Sequence, residues 1–129
     1  MPILNSHHWI AVAAGGAAGS VARHGVNMLF AHVLVRPVPY ATAAVNLIGS
    51  AIIGVLAGLI ASERITMTPT ARTFVFVGLL GGFTTFSSFM LDTLTVAHTG
   101  ERALAIWNVV AQTGIGLAAI YAGYYLVTS

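Results

Sequence analysis

Gly81-Gly82-Phe83-Thr84-Thr85-Phe86-Ser87-Ser88-Phe89 lies inside an apolar run from Ala71 to Ala97. That run exceeds the roughly 20 residues an α-helix needs to cross the hydrocarbon core of a bilayer. Such a helix is ordinarily filled at its centre with Leu, Ile and Val. Here the centre carries a helix-loosening glycine pair, then four hydroxyls interleaved with three phenylalanines. Lipid cannot satisfy backbone groups freed by a break, so a break at that depth must be buried in protein or face a water-filled path. Hydroxyls and exposed amides placed there can bind an ion that has shed its water.

The surrounding chain supports a membrane setting. Of 129 residues, 57% are hydrophobic and 6% charged, against about 25% charged in a typical soluble domain. Four apolar stretches, about 9–34, 40–61, 71–97 and 103–127, account for nearly all of it. The expectation is one all-α membrane domain over residues 1–129, with four transmembrane helices and the third broken near its centre. No Lys or Arg precedes the first stretch, which is also too long for the apolar region of a signal peptide. The chain has no cysteine, which removes disulfides, thiol chemistry and Cys-based metal sites.

All five basic side chains are arginines. Arg23 falls inside the first span. With four crossings, Arg64 and Arg72 share one side of the membrane, and Arg36 and Arg102 share the other. Two against two leaves the positive-inside rule without a preference. Copies inserted both ways up would pair as an antiparallel dimer, and four thin helices need a partner to enclose a channel. Close packing is written into the spans as Gly15/Gly19, Gly16/Ser20, Ser50/Gly54/Gly58 and Gly78/Gly82, whose spacing lets helix backbones approach in lipid. Trp9, Tyr40, Trp107 and the Tyr121, Tyr124, Tyr125 cluster suit the interfacial aromatic belt.

Several polar groups exceed what packing requires. An arginine within a span costs about 2.5–3.5 kcal/mol on insertion scales; Arg23 either snorkels to an interface or attracts anions in a water-filled vestibule. Thr42 and Asn46 are four residues apart on the second span, and Asn46 either joins helices or offers N–H donors to an anion. Helical periodicity through the third span gathers Thr84, Thr85, Ser88 and Asp92 into one stripe and sets Phe86 and Phe89 together on another side. Phenyl edges carry partial positive charge and can face an anion beside donating hydroxyls. Asn108 and Gln112, again four apart, either complete a polar lining or bind helices together.

These motifs resemble the Fluc (CrcB) family of small fluoride channels across all four spans. Gly15-Gly16-Ala17-Ala18-Gly19-Ser20-Val21-Ala22-Arg23 is similar to its first-helix motif, Val45-Asn46-Leu47-Ile48-Gly49 to its second, and Gly81–Phe89 to its third-helix signature. The resemblance implies a dual-topology antiparallel dimer; a homodimer is expected, and a heterodimer with a paralogue is the alternative. It further implies two pores and passive, fluoride-selective export across the cell inner membrane that protects against fluoride toxicity. Phe86 and Phe89 match its pore phenylalanines, Asn46 its pore asparagine, and Ser87 and Ser88 its polar track. Thr85 and Gln112 join that lining and Arg23 the vestibule. The carbonyls of Gly81 and Thr84 match the ligands of its central structural Na+. Asn108 and Gln112 stand where the resemblance implies tyrosine or serine hydroxyls.

Two other readings compete. A proton-coupled small multidrug exporter has the same size and topology but needs a carboxylate in its first helix, where this chain has Arg23 and no acid. A non-conducting membrane subunit needs only the packing glycines and leaves the hydroxyl–phenyl stretch unexplained. No nucleophile–base pair or metal cluster marks an enzyme, and no nucleic-acid partner is expected. The partners are fluoride, the bilayer and a second chain.

Overall fold

The computed structural model describes residues 5–129, which form helices and short connections with no strand among them. Helix α1 spans Ser6–Val33 and α2 spans Tyr40–Ala61. The third segment runs from α3 (Pro69–Arg72) through a π-helical stretch (Thr73–Leu80) into α4 (Gly81–Phe83). Thr84 and Thr85 are extended, α5 covers Phe86–His98, and α6 covers Arg102–Thr128.

Local chemistry sets the ends. Asn5 Oδ1 accepts from the His7 amide at 3.0 Å and starts α1. Thr68 Oγ1 accepts from the Ala71 amide at 3.1 Å, with Pro69 at the first helical position, where its missing N–H costs nothing. Gly100, at φ 88°, makes the left-handed turn after α5 that brings the Glu101 amide to the Val96 carbonyl at 3.2 Å.

Among the described residues, three segments are long and apolar enough to cross a membrane: Tyr40–Ala61, Pro69–His98 and Arg102–Thr128. They match the expected second, third and fourth spans to within two residues. Helix α1 has 28 residues, about 42 Å at 1.5 Å per residue. It is less apolar than the others, because Arg23, His7, His8, His24 and His32 dilute it.

The helices pair as α1 against the Thr73–Leu80 stretch and α4, and α2 along α6, with α5 packed on α6. Glycine makes both seams possible. A Cβ on Gly19 would sit 2.0 Å from the Leu79 carbonyl oxygen, and one on Gly82 would sit 2.7 Å from that of Gly16. On the other seam, a Cβ on Gly54 would sit 2.2 Å from the Ile120 carbonyl oxygen. The small-residue motifs are thus used inside the chain, backbone to backbone.

Two local features differ from expectation. Gly81 and Gly82 remain helical, and the chain opens at Thr84–Thr85 instead. Gly82 is needed for the approach to α1. The π-helical stretch was not anticipated; it lies where the Gly15–Gly19 face of α1 presses on the third segment, a tertiary contact with no local signature.

Candidate functional site

The break in the third segment is held from α2. Asn46 Oδ1 accepts from the Thr85 amide at 2.8 Å, and Asn46 Nδ2 donates to the Thr85 carbonyl at 3.1 Å. One side-chain amide thereby satisfies both backbone groups of a residue that leaves the helix, as burial in an apolar setting demands. Gly49, one turn further along α2, leaves room for the Thr84 methyl, which a Cβ would meet at 2.2 Å.

A chain of side-chain bonds leads on from Asn46. Its Nδ2 also donates to Gln112 Oε1 at 2.9 Å, Gln112 Nε2 donates to Asn108 Oδ1 at 2.8 Å, and Asn108 Nδ2 donates to Thr93 Oγ1 at 3.0 Å. The Thr93 hydroxyl then donates to the Phe89 carbonyl at 2.8 Å. The orientation of every amide follows from the first contact, since the Thr85 N–H must face an oxygen. Asn108 and Gln112 are both buried, so the chain replaces water inside α2, α5 and α6. Their i, i+4 spacing was visible in the sequence; Thr93 as the terminal acceptor was not.

The same rearrangement takes the helical amide partners from the Gly81 and Thr84 carbonyls, among others at the break. In an unbroken helix the Thr85 amide would serve the Gly81 carbonyl, but it goes to Asn46. The Ser88 amide would serve the Thr84 carbonyl, but it goes to Thr85 Oγ1 at 3.1 Å, capping α5. Gly81 and Thr84 therefore present carbonyl oxygens without the amide partners of a continuous helix, and such oxygens are the kind of ligand that hard cations take.

Phe86 and Phe89 meet edge to face, with centroids 5.9 Å apart and planes at 84°. Phe89 is buried at 7% exposure while Phe86 stands out at 72%. Beside them lies a cleft of about 240 Å³ lined by Asn46, Ser50, Thr84, Thr85 and Gln112. The structure thus brings together Asn46, Thr85, Phe86, Phe89 and Gln112. Ser87 is exposed, with its Oγ 3.4 Å from Thr85 Oγ1.

The expected Thr84–Thr85–Ser88–Asp92 stripe is divided. Ser88 and Asp92 line a second cleft of about 210 Å³ with Asn27 and Thr42. A single helical period cannot run through two extended residues, which is why the stripe splits. Arg23 is half-buried on α1 and makes no hydrogen bond or ion pair among the described residues, nor does Asp92. Arg36 pairs with Glu101, joining the α1–α2 connection to the α5–α6 connection at one end of the bundle.

The profile of the family described as CrcB-like protein, Camphor Resistance (CrcB), matches residues 10–124. A protein of Aeromonas salmonicida named fluoride-specific ion channel FluC is 40% identical over 121 residues, covering 94% of this chain and 96% of its own. Proteins of the same name from Nitrobacter winogradskyi and Paracoccus denitrificans are 42% and 44% identical, over 118 and 117 residues. The first alignment covers 92% of this chain and 93% of the relative, the second 91% of each.

Proposed function

This chain belongs to the CrcB-like family, and on that premise we infer that it is a fluoride-selective channel giving passive fluoride export. It is a multi-pass membrane protein and not an enzyme. The observation that carries the reading is the Asn46-held break, which sets an edge-to-face phenyl pair beside a cleft of amide and hydroxyl groups. Fluoride is small and tightly hydrated. Its water is replaced only by closely spaced donors and positive phenyl edges, and larger halides gain less from the same groups in a narrow path.

The finer reading has α1 as a fourth membrane crossing and the cell inner membrane as the location. Two copies pair antiparallel with two pores between them. Support comes from the cleft itself, which a single chain leaves open at Phe86, 72% exposed, and from two arginines at each end of the bundle. Arg23 draws anions towards the pore mouth. Ser87, Ser88 and Asp92 continue the polar path on the far side of the break. The Gly81 and Thr84 carbonyls would hold a structural Na+, whose charge offsets acceptors that lipid cannot satisfy.

Purified protein in vesicles should discharge a fluoride gradient, and not a chloride gradient, with no proton gradient applied. Equal chloride flux or a strict proton requirement would overturn the reading and restore the multidrug-exporter alternative. Flux that needs a co-purified paralogue would point to a heterodimer.

A further inference from the structure

Five polar side chains line the cleft beside the break, and an anion there needs a donor proton that is not already committed. Asn46 Nδ2 carries two protons, and both are taken, one by the Thr85 carbonyl and one by Gln112 Oε1. The Ser50 hydroxyl donates to the Asn46 carbonyl at 2.8 Å, and the Thr84 hydroxyl to the Leu80 carbonyl at 2.8 Å. Among the hydroxyls, Thr85 Oγ1 accepts from the Ser88 amide and lies 3.4 Å from Ser87 Oγ, where either hydroxyl can donate, so of the two side-chain amides only Gln112 can hold a spare proton. Gln112 Nε2 also carries two protons and commits one, to Asn108 Oδ1.

The geometry points to Gln112 as the side-chain amide that donates to the anion in this chain, with Asn46 as the positioning residue that turns it. This rests on the fluoride-channel reading and assigns the donor within that site. The Thr85 N–H fixes Asn46 Oδ1, which leaves Asn46 Nδ2 facing Gln112 Oε1. The carbonyl end of Gln112, which would repel an anion, is thereby held against Asn46. The NH2 end remains, with one proton unspent, on a side chain that is 7% exposed and lines the cleft. A buried, uncommitted N–H is a strong donor to an ion stripped of water, because no solvent competes for it. Thr93, at the far end of the chain, accepts from Asn108 and touches neither Gln112 proton.

Gln112 is the single glutamine of the sequence, so protein labelled with 15N in its glutamine side chain gives one NH2 signal pair. In the wild-type channel in lipid nanodiscs, one proton of that pair should shift with added fluoride and not with chloride, while the proton committed to Asn108 stays in place. In vesicles, Gln112→Met keeps the side-chain length and removes the donor, and should lower fluoride flux per folded channel by roughly tenfold or more. Thr93→Val should retain most of the flux. A role limited to joining helices moves neither NH2 proton with fluoride. Wild-type flux together with fluoride-insensitive Gln112 signals, or with normal flux per folded Gln112→Met channel, overturns the assignment and leaves the channel reading intact. Absence of wild-type fluoride flux overturns the channel reading itself.

Discussion

Asn46 on α2 pairs with both backbone groups of Thr85, accepting from its amide at 2.8 Å and donating to its carbonyl at 3.1 Å, across 39 positions of sequence. The side chain stands in for the helical turn that the third segment gives up. Asn46→Ala should therefore destabilise the fold by about 2–6 kcal/mol, since each buried group left without a partner costs roughly 1–3 kcal/mol. Asn46→Asp still accepts from the amide but meets the Thr85 carbonyl and Gln112 Oε1 with lone pairs, so it should abolish flux as well. Thermal unfolding and vesicle flux measure the two effects separately.

The glycine seam makes a paired prediction. Gly19→Ala places a methyl 2.0 Å from the Leu79 carbonyl oxygen, whereas Gly25→Ala meets nothing within 4 Å. The first should cost about 1–3 kcal/mol by forcing α1 from the Thr73–Leu80 stretch. The second should be neutral or stabilising by up to about 1 kcal/mol through helix propensity. Equal unfolding midpoints for the two variants would show that the seam is looser than these distances require.

The two phenylalanines should separate by function. Phe86 is 72% exposed and contributes little to packing within the chain, so Phe86→Ile should reduce fluoride flux while leaving stability unchanged. Phe89 is 7% exposed, and Phe89→Ala should cost about 3–5 kcal/mol. Phe30→Ile on α1 is the control and should conduct normally. Wild-type flux in Phe86→Ile would remove the phenyl edge from the pore.

Sodium should support assembly. An ion held by the Gly81 and Thr84 carbonyls in a dimer stabilises that dimer by mass action. Prolonged exchange of sodium for a large organic cation on both sides should lower the dimer fraction and the fluoride flux together. Unchanged values of both would leave the Gly81 and Thr84 carbonyls without the proposed ion.

Topology offers a test independent of the pore. Arg36 and Arg102 lie at one end of the bundle, and Arg64 and Arg72 at the other. C-terminal tags should appear on both sides of the membrane in one population of cells. Two lysines added between residues 62 and 68 should drive most copies to place that connection inside. A single orientation in the unmodified chain would count against antiparallel pairing with itself.

Much of this protein is determined by sequence alone. The three most apolar spans are legible to within two residues, because a long hydrophobic run of that composition has no other stable setting. The glycine motifs announce close helix contacts, and the Gly81–Phe89 stretch announces an interrupted third span. Even the shared faces of Thr42 with Asn46 and of Asn108 with Gln112 follow from helical period. Tertiary structure alone decided where the third span opens and which donors remain free there. Gly82 packs against α1 within a turn that stays helical, and the chain opens at Thr84–Thr85, where Asn46 takes the Thr85 amide. Periodicity could not find the division of Ser88 and Asp92 from the Asn46 cleft, since two extended residues reset it. Nor could it reveal that both Asn46 protons are spent, one of them on a glutamine 66 positions away. Apolar patterning is a local property of the chain, whereas the pairing of buried donors and acceptors is settled only when distant helices meet without water between them.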